Sequence, residues 1–319
     1  MNATVSNTLS VAASWGLCNR LPVLLSGMAL AEATDRRFEM LWARTHACAA
    51  LFSELFANAW PVLDASPVDV EYYRRQYRPR GPLPDLQASD VADLRAWSCT
   101  WLLAPDRFPR HRQLFARCGE LFEELKPVRT IQERIDEFQA ANFRRHMIGV
   151  HLRRGDLQLA APLVAANTHC AIDIVDRHLV DFPDAGILLC SDDGALHSAS
   201  GKTIPTEGVH AGFRQRYGDR VVFTRPRSLD RRDPLAIQDA VVDLWLLRQT
   251  DCLVGTFGSS FSGMAAFARS IPVTMCQSQH PLRNLIPLGR WLQGKATLRW
   301  MAGYYYRFAV RRRGWRGRN

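Results

Sequence analysis

The chain of 319 residues has only three lysines, Lys126, Lys202 and Lys295, and none stands in a recognisable motif, which argues against Schiff-base chemistry. It has no D-x-D pair; Asp69-Val70-Glu71 comes nearest, inside a proline-rich stretch, so no metal-binding signature for a diphosphate is present and no metal is expected. G-x-G-x-x-G is missing too, and with it the fingerprint of a dinucleotide site. The eight cysteines are scattered, with no C-x-x-C pair and no Cys/His spacing for zinc, a pattern that suits a reducing compartment. Long apolar runs are also lacking: residues 21–31 form the longest, and Pro22, Ser26 and Gly27 interrupt it. The expectation is no signal peptide, no transmembrane helix and a cytoplasmic location.

Acidic residues are absent from 281–319, where ten basic residues stand. The net charge is +10, so the remainder of the chain, with 31 basic and 31 acidic residues, is neutral. The same tail holds Trp291, Trp300, Trp315 and Tyr304-Tyr305-Tyr306, and Leu298, Met301, Tyr305 and Phe308 recur at helical spacing. Arginines beside interfacial aromatics suit an anionic membrane surface, with a helix docked on the body or a nucleic-acid patch as the other readings. We take the membrane reading and expect no nucleic-acid partner.

What is present is enough hydrophobic content, 47%, for two cores. Strand-like runs at 8–14, 38–42, 97–103, 147–150, 186–190, 221–223, 252–254 and 271–275 alternate with helical patterns at 21–29, 46–56, 126–143, 170–180, 237–244 and 260–268. Such alternation predicts parallel sheets with helices on both faces. Residues 61–109 read as loop-rich, and 200–220 as a polar loop. The predicted organisation is an N-terminal α/β domain at 1–125, a C-terminal Rossmann-like domain at 126–280 and the tail at 281–319.

Four segments fall where strands give way to loops. "GVHLRRGD" puts His151, Arg153, Arg154 and Asp156 beyond a buried strand, with His151 and Arg153 on one side of it. Guanidinium forks grip phosphate oxygens, so this is a candidate anion site, although charged clusters are usually solvated turns. Asp192 and Asp193 follow the run 187–190, where they either accept from ribose or base or cap a helix. Gly255-Thr256-Phe257-Gly258-Ser259-Ser260 turns into a helix, with Asp243 upstream; small hydroxyls and free amides there suit phosphate. "WGLCNR" supplies Gly16, Asn19 and Arg20 in a turn before the first helix.

Together these segments resemble the fucosyltransferase superfamily. "HLRRGD" resembles the His-x-Arg-Arg-x-Asp motif of its α1,2 and α1,6 branches, "SDD" the second motif, Asp243 with Gly255–Ser262 the third, and "GLCNRL" the N-terminal glycine-asparagine loop. The resemblance implies two Rossmann-like domains facing a cleft (GT-B type), and an inverting, metal-independent transfer of fucose from GDP-fucose to a glycan hydroxyl. It implies no cofactor beyond this donor. Arg153 and Ser259 or Ser260 would hold the β-phosphate, and His151 with Asp243 the nucleoside. Arg154 and Asp156 would shape the site, and Asp192, Thr256, Gly16, Asn19 and Arg20 would complete the donor set. The expected catalytic residues are Arg153, for leaving-group charge, and Asp156. In place of the lysine and glutamate that follow this motif in the α1,6 branch stand Leu157-Gln158-Leu159-Ala160-Ala161, so the base falls to Asp156 or a first-domain carboxylate such as Glu32. The acceptor is a glycan or lipid-linked oligosaccharide, near the membrane if the tail binds it. Two other readings stay open: the same fold using another nucleotide sugar, and a homologue that binds nucleotide sugar or glycan without turnover.

Overall fold

The computed structural model describes residues 7–78, 85–88, 91–154, 161–193 and 208–276. Asp156 and the tail at 281–319 lie outside these. The chain divides into two units, residues 1–133 with 230–241, and residues 134–229 with 242–319. The division falls inside two helices, so the first unit is not continuous in sequence.

The first unit starts with β1 (Thr8–Ala13), six buried residues that occupy the middle of a parallel sheet. Next come α1 (Leu17–Ala33), β2 (Arg37–Ala43), β3 (Val62–Ala65), α2 (Pro67–Tyr77), β4 (Asp93–Ser98), α3 (His111–Glu124) and α4 (Arg129–Asn142). The strand order is β3-β2-β1-β4, with Val11 aligned on Met40 on one side and Ala96 on the other. Helix α1 is buried almost all round, since it lies between the sheet and α3. It begins at Leu17, four residues before the predicted start, which moves Pro22 from the first turn into the helix, where its missing N–H removes one ladder bond.

The second unit holds β5 (Met147–Leu152), α5 (Ala161–Asp181), β6 (Gly186–Ser191), α6 (Val209–Tyr217), β7 (Val221–Val222), α7 (Pro234–Arg248), β8 (Cys252–Thr256), α8 (Ser260–Ala266) and β9 (Val273–Cys276). Its strands are all parallel in the order β7-β6-β5-β8-β9. Burial on both faces explains why β5, β6 and β8 read as continuous apolar runs. Ile148, Val150, Ile174, Val175, Ile187, Leu189 and Val254 form the core between sheet and helices.

Three helices were not expected. Helix α2 opens on Ser66, whose hydroxyl accepts the Asp69 amide while the Asp69 carboxylate accepts the Ser66 amide, with Pro67 in the first turn. That signature was legible in a stretch whose prolines suggested only loop. Helix α3 lies just beyond the loop-rich region, in residues to which the sequence assigned no element, and α6 fills part of the polar 200–220 stretch. The helix predicted at 46–56 is not formed. A single 3₁₀ turn at Phe52–Glu54 stands there, closed by a hydrogen bond from the Leu51 amide to Glu54 Oε2. Among the described residues no helix is long and apolar enough to cross a membrane.

Candidate functional site

In the second unit the chain runs β5, β6, β7 outward in one direction and then returns to place β8 on the other flank of β5. The carboxyl ends of β5 and β8 therefore form the switch point where open α/β sheets bind ligands. Residues 151–154 and 256–260 both emerge there.

Thr256, 2% exposed, joins the two strands: its Oγ1 donates to the His151 carbonyl at 3.0 Å and accepts the Arg153 amide at 3.0 Å. Ser262 adds a second link, accepting the Thr256 amide at 3.1 Å and lying 2.7 Å from His151 Nδ1. Ser262 thus ties the imidazole to the turn that leads into α8. The imidazole also stacks on Phe261 at 4.8 Å. Burial pushes the His151 pKa down to about 4, with Asp192 raising it and Arg153 lowering it, so the ring is neutral at physiological pH. Gly255 permits the tight return of α8, because a Cβ there would meet Ser262 Cβ at 2.8 Å and Met275 Sδ at 2.7 Å. Gly258 takes φ +75°, which turns the chain toward Ser259 and Ser260. Ser259 is buried, and Ser260 starts α8, a helix of only seven residues.

Arg153 is half-buried at the end of β5. Arg154 is braced: its amide donates to Asp192 Oδ1 at 2.5 Å, its Nε to Asp193 Oδ1 at 3.1 Å and its Nη1 to Thr168 Oγ1 at 2.8 Å. Of the roles that sequence left open, the helix cap falls to Asp193. Asp193 Oδ2 accepts the Val209 amide at 2.6 Å and so caps α6, while Asp192 holds the turn after β5.

Asp243, on α7, borders a pocket of about 330 Å³ beyond the ends of β6 and β7. Cys190, Asp193, His210, Phe223, Thr224 and Arg225 are among its walls. Thr224 Oγ1 donates to Asp243 Oδ1 at 2.5 Å, and the buried Cys190 thiol, itself pushed up by burial and by this carboxylate, hydrogen-bonds to it as well. His210 packs on Phe223 at 4.7 Å, and the Arg214 guanidinium lies 4.9 Å from the same ring. Sequence reasoning found Asp243 and Asp193 and missed the others. Thr224 and Arg225 follow a short apolar run just as the other motifs do, which was the available signal; His210 belongs to a helix hidden in a polar stretch.

The "WGLCNR" loop lies in the first unit. Gly16 has φ −72° and ψ 170°, and a Cβ there would meet nothing closer than 3.7 Å, so the fold itself does not demand a glycine. Asn19 Nδ2 donates to the Cys99 carbonyl at 2.9 Å. Arg20 is fully buried: its Nε, Nη1 and Nη2 donate to Trp15 O, Ala43 O and Thr45 Oγ1 at 2.9, 2.7 and 2.9 Å, and it stacks 5.0 Å from the Trp42 ring. Its contacts are those of a brace for the loop. Glu32 is not placed as a base. It sits in the last turn of α1, at the sheet edge opposite this loop, and Arg117 holds both its oxygens at 2.7 and 3.1 Å. Among the described residues no group of three or more His, Cys, Asp or Glu side chains is arranged for a metal ion.

No protein-family model matches the chain, and neither does any curated protein sequence. Solved structures do. The α1,6-fucosyltransferase NodZ soaked with GDP-fucose superposes with a TM-score of 0.55 at 18% identity over 84% of this chain and 94% of that one. NodZ from Bradyrhizobium in a further crystal structure gives 0.55 at 17%, covering 86% and 97%. A variant of Arabidopsis thaliana FUT1 in complex with GDP gives 0.56 at 13%, covering 88% of this chain and 72% of that one. At these identities the likeness establishes the fold: two α/β units, each with a parallel sheet, as in the GT-B-like fold of these fucosyltransferase structures.

Proposed function

We propose that the protein is an inverting, metal-independent glycosyltransferase that transfers fucose from GDP-fucose to a glycan hydroxyl. The observation that carries this reading is the Asp243 pocket, set on the same carboxyl edge of the sheet as Arg153, Arg154 and the Ser259 turn. A guanine edge presents N1–H and the N2 amine side by side, which matches the acceptor-only carboxylate of Asp243; adenine, cytosine and uracil offer no such pair. The pocket volume accommodates one base. The His210–Phe223 wall offers it a face.

From such a seat the diphosphate extends toward the end of β5. As the acceptor oxygen attacks the anomeric carbon, the bond to the β-phosphate oxygen breaks on the opposite face, and the departing GDP gains negative charge. Arg153 supplies the cation that meets it, with Ser259 and Ser260 as hydroxyl donors. Neutral His151 hydrogen-bonds the nucleotide in this reading. Asp156 takes the acceptor proton in this reading, and Arg154, tied to both aspartates, keeps the turn in place. Gly16 and Asn19 complete the donor set from the first unit, with Arg20 shaping their loop.

The acceptor is a glycan or lipid-linked oligosaccharide. The tail, with ten basic and no acidic residues at 281–319, supports a peripheral position on an anionic membrane, and the scattered cysteines support the cytoplasmic side.

The test is turnover of a nucleotide-sugar panel in EDTA by wild type and Arg153→Ala. GDP-fucose is consumed by the wild type, and the substitution lowers kcat by about 10²–10³-fold, the range for removing one charge-stabilising donor. Turnover of another nucleotide sugar alone overturns the donor assignment, and dependence on metal overturns the metal-free mechanism. An undiminished Arg153→Ala enzyme removes Arg153 from the chemistry. GDP binding without turnover of any donor makes the protein a binding homologue.

A further inference from the structure

Of the six tryptophans among the described residues only Trp15 is exposed, with 58% of its surface accessible. Its backbone is left-handed, φ +76°, a region that disfavours bulky side chains and in which glycine sits without strain. A chain that needed only the turn would carry glycine here. Instead the conformation is held from both sides. Arg20 Nε donates to the Trp15 carbonyl at 2.9 Å, and the preceding Ser14 hydroxyl accepts Trp97 Nε1 at 2.9 Å. Arg20 is itself a fully buried guanidinium, a costly group to remove from water, and its other donors fasten the loop to the end of β2. Strain kept in place by surrounding structure is a mark of functional sites.

The position agrees. In the first unit β4 lies on the opposite flank of β1 from β2 and β3, so the ends of β1 and β4 make that sheet's own switch point. Trp15 follows β1 directly, and Asn19 bridges from the same loop to the Cys99 carbonyl beyond β4. Half-buried polar residues Ser14, Asn19 and Thr100 also stand just beyond the carboxyl ends of β1 and β4. An exposed aromatic face on a strand-end edge that also carries hydroxyl and amide side chains matches a ligand that has an apolar C–H face and a hydroxyl rim.

We infer that Trp15 is a stacking platform for a pyranose ring of the acceptor. The inference rests on the glycosyl-transfer reading above and adds to it an acceptor-contacting residue in the first unit.

The experiment uses the full chain and saturation-transfer NMR with methyl pyranosides of glucose, galactose, mannose and N-acetylglucosamine, together with GDP titration and thermal unfolding of each variant. Wild type transfers saturation to ring C–H protons of at least one pyranoside. Trp15→Leu, which keeps bulk but not a flat face, weakens that affinity about tenfold or more, the size expected for loss of one stacking contact. Trp15→Phe retains most of it. Trp15→Gly also loses pyranoside affinity while its Tm stays level or rises, since glycine relieves the left-handed strain. GDP affinity stays within about twofold in all three, because Trp15 is not part of the guanine pocket. Equal pyranoside affinity in Trp15→Leu, or no pyranoside binding by a wild type that binds GDP normally, overturns the platform and leaves the donor reading standing. Absence of GDP binding with Trp15-dependent pyranoside binding overturns the donor reading and leaves the platform.

Discussion

His151 gives this structure a pH-dependent stability that can be worked through. The ring is 8% exposed, bonded to Ser262 at 2.7 Å and stacked on Phe261, and burial lowers its pKa to about 4 from the ordinary imidazole value of 6.5. Asp192 and Arg153 act on it in opposite directions, so burial decides the shift. Between pH 6.5 and pH 4 the unfolded chain holds this proton and the folded chain does not. Stability therefore rises with pH across that window; it is complete above the unfolded pKa and is lost as pH falls toward the folded one. From those two values the loss between pH 7 and pH 5 is about 2 kcal/mol from this residue alone. Urea unfolding of wild type and His151→Gln at pH 7, 6 and 5 isolates the contribution, because His178 and His210, which burial also lowers, titrate in both proteins. The wild-type advantage at pH 7 should shrink by about 2 kcal/mol at pH 5. An advantage constant to within about 0.5 kcal/mol, or an imidazole resonance of His151 titrating near the ordinary value for histidine, refutes the buried neutral ring.

Two further outcomes follow from the same site. Asp243→Asn replaces an acceptor-only carboxylate by a group that also donates, and GDP affinity should fall by about 10²-fold while the preference for GDP over IDP, which lacks the N2 amine, disappears; unchanged affinity or selectivity by calorimetry removes Asp243 from base recognition. Thr256→Val keeps shape but leaves the Arg153 amide and the His151 carbonyl without their partner, costing about 2–4 kcal/mol, whereas Thr256→Ser stays within about 1 kcal/mol; thermal unfolding that fails to separate the two variants refutes the strand-to-strand role of this hydroxyl.

Much of the second unit was legible in the residues because its strands are buried on both faces and announce themselves as apolar runs. β5, β6 and β8 lie where those runs lie, and the polar clusters stand at their ends. The first unit was harder to read. Its prolines and arginines masked α2, even though the Ser66-Pro67-x-Asp69 start was a helix signal in plain view. The run at 46–56 failed as a helix for the opposite reason: its apolar residues serve separate tertiary contacts, with Cys48 paired to Thr45 and Phe52 packed edge-on to Trp42.

By itself the sequence determined what depends on near neighbours: which runs bury both faces, where turns interrupt them, and that His151, Arg153, Arg154, Asp192, Asp243 and Ser259 carry chemistry suited to an anion and a base. Tertiary structure decided what depends on strand order and on returns of the chain. Placing β8 beside β5 made Thr256 and Ser262 the partners of His151, residues more than a hundred positions away. The same kind of packing made Arg20 a buried brace, bound Glu32 to Arg117 far from the loop edge, and set Trp15 exposed in a left-handed turn. No local pattern encodes these outcomes, because each is fixed by a contact whose other half lies elsewhere in the chain.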